Sequence, residues 1–130
     1  MPLFITNLFE NKKVPLYADG MNVRDWLFVL DNCEGIDTVL HKGKAGEVYN
    51  IGGLDYHDIE TVAKLVIKYT GCNPDLAEYC DPEPFTTIKK QVDCAKAVRD
   101  LGHKSTVALE EGVKKTIQWM KDFYKVGDKK

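Results

Sequence analysis

The sequence of 130 residues lacks the local motifs by which enzymes most often hold phosphates or build nucleophiles. It contains no G-x-G-x-x-G turn and no P-loop, which excludes the usual phosphate-cradling loops. Ser105 is its only serine, so a G-x-S-x-G nucleophile is excluded as well. No two of the four cysteines form a Cys-x-x-Cys pair, and none has a histidine at zinc-ligand spacing. We therefore expect reduced thiols and no metal site.

The chain also lacks long apolar runs and a large excess of positive or negative charge. No apolar run has the length of a bilayer span, and residues 1–13 lack the basic leader and cleavage site of a signal peptide. The net charge of −2, with both signs interspersed, disfavours nucleic acid and anionic membranes as partners. With 44% apolar and 29% charged residues, the composition is that of one globular domain. We expect a cytoplasmic protein with no nucleic-acid or membrane partner.

Hydrophobic periodicity predicts a mixed α/β fold in which helices pack on a few short strands. Five helices are predicted, at Pro2–Asn11, Leu30–His41, Ile59–Tyr69, Cys94–Leu101 and Leu109–Tyr124. Three strands are predicted, at Val14–Ala18, Val23–Val29 and Glu47–Ile51. In residues 75–88, Pro82 and Pro84 argue against a regular helix or a central strand, so we expect a loop. The expected domain covers residues 1–125, with a frayed tail at 126–130.

The same pattern predicts structural roles for several side chains. Asp58 is the predicted N-cap of the third helix, and Gly71 its end. The second helix carries one apolar face, formed by Cys33, Ile36, Val39 and Leu40. Cys33 and Cys94 are interpreted as small core residues. The histidines, His41, His57 and His103, fall at predicted helix ends or turns, where solvated or capping roles outnumber catalytic ones. Because no carboxylate pair stands out, we predict no catalytic residue in this chain.

The densest group of informative residues lies in the stretch VPLYADGMNVRDWLFVLD, residues 14–31. Two strands joined by an Asp-Gly turn would bring Tyr17 and Arg24 near one another. Arginine donates two forked N–H groups to a phosphate, and a tyrosine ring stacks on a base. The alternative is that Arg24 pairs with a surface carboxylate and Tyr17 covers the edge of the core. Spacing alone favours this alternative.

A second candidate is Asn50, which ends a predicted strand directly before Ile51-Gly52-Gly53. Its amide is able to donate to a phosphate or a sugar, and the glycines would let a ligand come close. The alternative is an asparagine that satisfies the hydrogen bonds of a turn.

Four stretches in order, PLYADGMNVRDWLFVLD, GKAGEVYNIGG, VDCAKAVRDLGHK and LEEGVKKTIQWM, resemble the C-terminal part of extended short-chain dehydrogenase/reductases that act on nucleotide sugars. The closest similarity is to the dTDP-glucose 4,6-dehydratase and NAD-dependent epimerase/dehydratase branch. The resemblance implies the small substrate-binding domain without the dinucleotide-binding domain. It also implies that Pro15 and Tyr17 lie against the nucleotide base, that Arg24 contacts the ribose or diphosphate, and that Asn50 reaches the phosphates. Trp26 is interpreted as a core residue.

The chain departs from that family pattern in two places. The glycine-rich NAD loop and the Tyr-x-x-x-Lys pair do not occur in the sequence, so NAD is expected only in the complete enzyme. Where dehydratases carry Arg-Pro-Gly-His-Asp, residues 81–87 read DPEPFTT, so one phosphate-binding arginine is missing. Lys89 or Lys90 would be its substitute.

Two functional hypotheses follow from the resemblance and its departures. The chain is the part of an NAD-dependent dehydratase or epimerase that binds a nucleotide-diphosphate sugar, inactive by itself. Alternatively, it is a free-standing nucleotide-binding or docking module that joins a separate NAD-binding subunit. The second hypothesis predicts an exposed apolar surface and self-association, with the amphipathic helix at Leu3–Phe9 as the expected exposed element.

Overall fold

The computed structural model describes residues 1–82, 84 and 86–125, and the elements below are those of this part of the chain. The helices are α1 (Pro2–Phe9), α2 (Val29–Lys42), α3 (Ile59–Thr70), α4 (Ala95–Leu101) and α5 (Leu109–Tyr124), with a 3-10 turn at Pro74–Leu76. The strands are β1 (Val14–Tyr17), β2 (Val23–Trp26), β3 (Asp55–Asp58) and β4 (Ala77–Cys80). The predicted mixed α/β class and all five predicted helices are confirmed. None of the helices described has the length and apolar character to cross a bilayer.

The strands form two separate ribbons, not one sheet. β1 pairs with β4 in parallel, with Pro15 opposite Glu78 and Tyr17 opposite Cys80. β2 pairs with β3 in antiparallel fashion, with Arg24 opposite His57. The chain passes from β1 to β2 through residues 18–22, where Gly20 adopts a left-handed φ of 75°. The predicted Asp-Gly turn is therefore present. It connects β1 of one ribbon to β2 of the other.

The core lies where α1, α3 and α5 meet above β1. Amphipathic helices bury one stripe of apolar side chains, and these three helices turn their stripes toward each other. The side chains that close this core are Ile5, Leu8, Val14, Val62, Val66, Leu109, Val113, Ile117 and Met120. Trp26 packs against the same cluster, and its indole N–H donates to the carbonyl of His57 at 2.9 Å. Its interpretation as a core residue is confirmed.

The ends of α3 follow from two residues that the sequence singles out. The carboxylate of Asp58 accepts from the backbone N–H of Thr61 at 2.6 Å and from its hydroxyl at 2.9 Å. Gly71 ends the helix with φ 72°, a conformation that costs glycine little. Burial raises the pKa of the Asp58 carboxyl, but the bonds from Thr61 outweigh burial, so this pKa lies below its ordinary value. Both predicted end signals are confirmed.

Two predictions about strands are wrong. Residues 47–51 form no strand in the described part of the chain. A strand forms instead at Asp55–Asp58, whose polar sequence gives no β signal, because β2 provides the hydrogen-bonding partner. Within the expected loop at 75–88, Ala77–Cys80 forms β4. Pro82 and Pro84 follow this strand and leave its ladder with β1 intact.

Two predictions about α1 and α2 are also wrong, namely that α1 is the exposed apolar element and that Cys33 is a core residue. α1 is not the exposed apolar element, because Ile5 and Leu8 are buried against α3 and α5 and only Leu3 of its apolar residues is largely exposed. α2 has the predicted apolar face, but Cys33, Ile36 and Leu40 point away from the chain. Cys33 is therefore not a core residue, whereas Cys94 is half-buried. All four cysteines are free thiols.

The interpretation of the histidines holds for one residue and fails for another. His41 lies in the last turn of α2, where its Nδ1 is 2.9 Å from the carbonyl of Asp37. His103 is only 7% exposed, and its Nε2 has no partner among the residues described. A Cβ on Gly35 would stand 2.9 Å from that nitrogen. His103 is therefore a packing residue under α2, neither solvated nor a cap.

Candidate functional site

Arg24 lies on β2, which is flanked on both sides. On one side β3 pairs with it, and on the other side runs the extended segment 88–90. The backbone N–H of Val23 donates to the carbonyl of Ile88 at 2.8 Å, and the N–H of Lys90 donates to the carbonyl of Val23 at 3.1 Å. Arg24 therefore lies on the middle of three extended segments. The hydrogen bonds to segment 88–90 are made by Val23, the residue directly before Arg24.

The guanidinium of Arg24 is half-buried and donates to the carbonyl of Val23 at 2.8 Å. No carboxylate forms an ion pair with it among the residues that the structure describes. The predicted alternative, a surface ion pair, is not found in this part of the chain. Arginine carries five N–H donors, and the bond to Val23 uses one of them. The remaining donors suit an anionic ligand.

Two lysines lie on the segment next to Arg24. Lys89 is opposite Val23 in a parallel bridge, and continuing this register brings Lys90 beside Arg24. Both lysines are exposed, and neither forms an ion pair with a carboxylate in the described part of the chain. The predicted substitutes for the missing arginine thus lie on the segment that pairs with the strand of Arg24. Arg24, Lys89 and Lys90, which we call the cationic ribbon, place three positive charges on neighbouring segments of a chain of net charge −2.

Asn50 is held close to the continuation of the same segment. Its amide nitrogen donates to the carbonyl of Asp93 at 3.0 Å, and the hydroxyl of Tyr56 donates to the carbonyl of Val92 at 3.0 Å. We call residues 88–93 the connecting segment. It begins alongside β2, where it bonds to Val23, and ends beside Asn50. Asn50 is exposed. The structure brings Arg24, Asn50, Lys89 and Lys90 onto this one connecting segment and its neighbours.

Asp25 was missed by the sequence reasoning, although it anchors the Asn50 loop. Its Oδ1 accepts from the backbone N–H of Gly53 at 2.6 Å, while its Oδ2 is buried without a partner among the described residues. A Cβ on Gly52 would stand 2.5 Å from that Oδ2, so the glycine permits the close approach. Burial and the Asp25 charge raise the pKa of the Cys94 thiol and of the Tyr56 phenol. The position of Asp25 between Arg24 and Trp26 was the only feature of the sequence that could have indicated this role.

Pro15 and Tyr17 lie on β1, in the other ribbon. Pro15 is half-buried, and Tyr17 is 40% exposed at the end of the strand. Residues 18–22 connect Tyr17 to β2, and the backbone N–H groups of Glu60 and Ile59 donate to Gly20 and Asn22 at 3.0 and 3.2 Å. The start of α3 therefore fixes the turn between the two ribbons. The structure does not place Pro15 or Tyr17 in the group around Arg24.

A different region of the surface forms an apolar groove of about 700 Å³. It lies between residues 26–30, the start of α1 and the first three turns of α5, and Trp119 forms part of its wall. None of the candidate ligand-binding residues lines it. No cluster of three or more potential metal ligands occurs among the residues described.

The sequence and the fold are similar to those of known enzymes over nearly the whole chain. The model of the GDP-mannose 4,6 dehydratase family matches residues 1–116. The dTDP-glucose 4,6-dehydratase of Streptomyces antibioticus is 38% identical over 122 residues, which are 94% of this chain and 36% of that protein. Two solved structures extend the comparison to the backbone.

The dTDP-glucose 4,6-dehydratase of Bacillus anthracis, solved in complex with NAD, is 38% identical with a TM-score of 0.87, over 95% of this chain and 39% of that one. The UDP-glucose 4-epimerase of Thermotoga maritima, solved with UDP-glucose, is 29% identical with a TM-score of 0.86, over 94% of this chain and 39% of that one. Fold and sequence together define a dehydratase- or epimerase-like part of an extended short-chain dehydrogenase/reductase.

The chain belongs to the GDP-mannose 4,6 dehydratase family. The resemblance seen in the sequence motifs is therefore confirmed. The chain spans 36–39% of the length of the relatives described above.

Proposed function

We propose that this chain binds the diphosphate of a nucleotide-diphosphate sugar and forms the substrate-binding portion of an NAD-dependent dehydratase or epimerase. The observation that carries the proposal is the half-buried Arg24, which has no carboxylate partner in the described part of the chain and follows Val23, the residue bridged to Lys89. The names of the relatives support the substrate class, since they are dTDP-glucose dehydratases and a UDP-glucose epimerase.

Each candidate residue supplies a different interaction. Arg24 would fork two N–H groups onto the diphosphate, and Lys89 or Lys90 would add point charge where the family pattern has an arginine. Asn50 uses one amide N–H on Asp93, and its second N–H would reach a phosphate oxygen. Pro15 and Tyr17 would contact the base from the neighbouring ribbon.

The sequence has no glycine-rich turn of the kind that a dinucleotide site uses. A dinucleotide needs a helix N-terminus that is open to the pyrophosphate behind a glycine-rich turn. Here Asp58 occupies the start of α3, and the Asp55 carboxylate accepts from the backbone N–H of Leu109 at the start of α5, at 2.9 Å. In the complete enzyme NAD would take up a hydride from the sugar. This chain would bind and orient the sugar nucleotide and would contribute no catalytic residue.

The experiment is a calorimetric titration of the chain with dTDP-glucose and UDP-glucose. Arg24→Ala is expected to weaken binding by about 1.5–3 kcal/mol, the range for a hydrogen bond to a charged group. Arg99→Ala is the matched control, because Arg99 is exposed on α4 and already paired with Asp100. Binding that is insensitive to Arg24, or equally sensitive to Arg99, would contradict the proposal.

A second candidate is a docking module that joins a separately encoded NAD-binding subunit. The observation in its favour is the outward-facing apolar side of α2. The two candidates are compatible, because α2 and the cationic ribbon are formed by different residues.

A further inference from the structure

His57 lies directly across from Arg24 in the antiparallel ribbon of β2 and β3. Residues that face each other in this way carry their side chains on the same face of the ribbon, with Cβ atoms about 4.5–5.5 Å apart. Both side chains are half-buried. The imidazole of His57 therefore lies within reach of an anion that is bound by Arg24.

The ring of His57 is not engaged by the rest of the chain. Its backbone carbonyl accepts from the indole N–H of Trp26 at 2.9 Å, which holds the strand in place. The imidazole itself forms no hydrogen bond and no ion pair with any residue that the structure describes. On its own strand the carboxylate of Asp58 acts on it electrostatically, but that carboxylate is already bound by Thr61 at the start of α3.

A histidine opposite an arginine becomes an unfavourable pair once the imidazole is protonated. Like charges that face each other directly destabilise a sheet. The next residue of β2, Asp25, does not offset the pair, because side chains alternate along a strand and its carboxylate accepts from Gly53 on the other face. An anion in contact with both Arg24 and His57 would replace this repulsion by attraction.

We propose that His57 is a further ligand-binding residue of the diphosphate site, and that its protonated ring adds a positive charge beside Arg24. The inference rests on the proposed function, because it concerns the same diphosphate. A protonated imidazole donates from both ring nitrogens, and a charge-assisted hydrogen bond is roughly twice as strong as a neutral one. Histidine side chains change charge between about pH 5 and pH 8, so the affinity for the diphosphate should rise as the pH falls through this range.

The other groups that ordinarily titrate in this range are two histidines and the Met1 amino group, and none of them lies on the ribbon of Arg24. His41 is in the last turn of α2, and His103 is buried under that helix. Burial lowers the pKa of the Met1 amino group below its ordinary value of 8.0, but Met1 lines the apolar groove. The diphosphate of dTDP-glucose stays ionised throughout, because each phosphate carries one strongly acidic group. A pH dependence of binding that disappears with His57 therefore belongs to His57.

The test is a calorimetric titration of the full chain with dTDP-glucose at pH 8 and at pH 5.5, at constant ionic strength. The wild type should bind about fivefold more tightly at pH 5.5, the size of a partly screened ion pair. His57→Gln keeps a hydrogen-bonding amide without a titrating group, so it should bind at both pH values as the wild type does at pH 8. His57→Lys keeps a positive charge throughout, so it should bind at pH 8 as tightly as the wild type does at pH 5.5.

His41→Gln is the matched control, because His41 is an exposed histidine on a different element. It should keep the full pH dependence. The proposal is overturned if His57→Gln keeps that dependence too, or if His57→Lys binds no more tightly than the wild type at pH 8. Binding that is weakened by Arg24→Ala but indifferent to His57 would reject this inference and leave the proposed function standing. No binding of dTDP-glucose at either pH would overturn both.

Proton NMR of the wild-type imidazoles tests the same claim without relying on the fold of a variant. At pH 6.5, saturation with dTDP-glucose should shift the C2 proton of His57 toward its position in acid, since a bound diphosphate favours the protonated ring. The C2 proton of His41 should stay where it is. A His57 signal that does not move while dTDP-glucose binds would overturn the proposal.

Discussion

α5 and α2 have similar amphipathic patterns but opposite surroundings. α5 buries its apolar stripe against α1 and α3, with Val113, Ile117 and Met120 nearly inaccessible. α2 turns its stripe outward and is attached through Asp31 and Gly35. The difference shows that periodicity identifies an apolar face without identifying what covers it.

The largest expected effect is a difference in stability loss between two isoleucine-to-alanine variants, one in α5 and one in α2. Ile117→Ala in α5 should destabilise the chain by about 2–5 kcal/mol, because it removes packed methylene groups and leaves a cavity. Ile36→Ala in α2 should change stability by less than about 0.5 kcal/mol, since Ile36 is exposed. The free energy of unfolding in urea measures both. Equal losses would mean that Ile36 is covered within this chain.

The next effect tests the close approach of α2. Gly35→Ala places a methyl group against Ile51 and His103 and should cost about 1–3 kcal/mol. Gly112→Ala in α5 is the matched variant, because its Cβ would meet only the edge of the Phe28 ring, at 3.2 Å. We expect a smaller loss there, offset by the better helix propensity of alanine. A neutral Gly35→Ala would show that α2 is not pressed onto His103.

The smallest effect concerns the helix starts, since α3 has a side-chain cap and α2 has none. Asp58→Ala should cost about 0.5–2 kcal/mol. Because the pKa of Asp58 is lowered on folding, its stabilisation is present above the ordinary value of 3.8 and is lost as the pH falls through the folded pKa. Urea unfolding between pH 6 and 3 measures this loss. If Asp58→Ala loses as much stability between pH 6 and pH 3 as the wild type does, Asp58 is not the source of that pH dependence.

The sequence was sufficient wherever local chemistry decides the structure. Asp58 and Gly71 set the ends of α3, and the Asp-Gly turn between β1 and β2 is where the dipeptide predicted it. The helices were found because their periods are long enough to read. Arg24 and Asn50 were proposed from residue chemistry together with family resemblance.

The sequence was insufficient wherever a distant partner decides the structure. β3 consists of four polar residues and forms because β2 is there to pair with it. Residues 47–51 have a strong β pattern and remain unpaired in the described part of the chain. Asp25 looked like an ordinary strand residue, and its role became visible only when Gly53 was found 2.6 Å away. His103 was predicted to be solvated or a cap, and this was wrong because α2 packs over its side chain and buries it.

The central claim is that the chain alone binds a nucleotide diphosphate on the cationic ribbon. Titration of the ¹⁵N-labelled chain with dTDP-glucose, followed by amide chemical shifts, tests it residue by residue. We expect the shifts to change at β2, in residues 50–53 and along the connecting segment. They should stay constant at the outward-facing apolar residues of α2, which are Val29, Cys33, Ile36 and Leu40. Changes confined to the apolar groove beside α5, or no changes at all, would contradict the account.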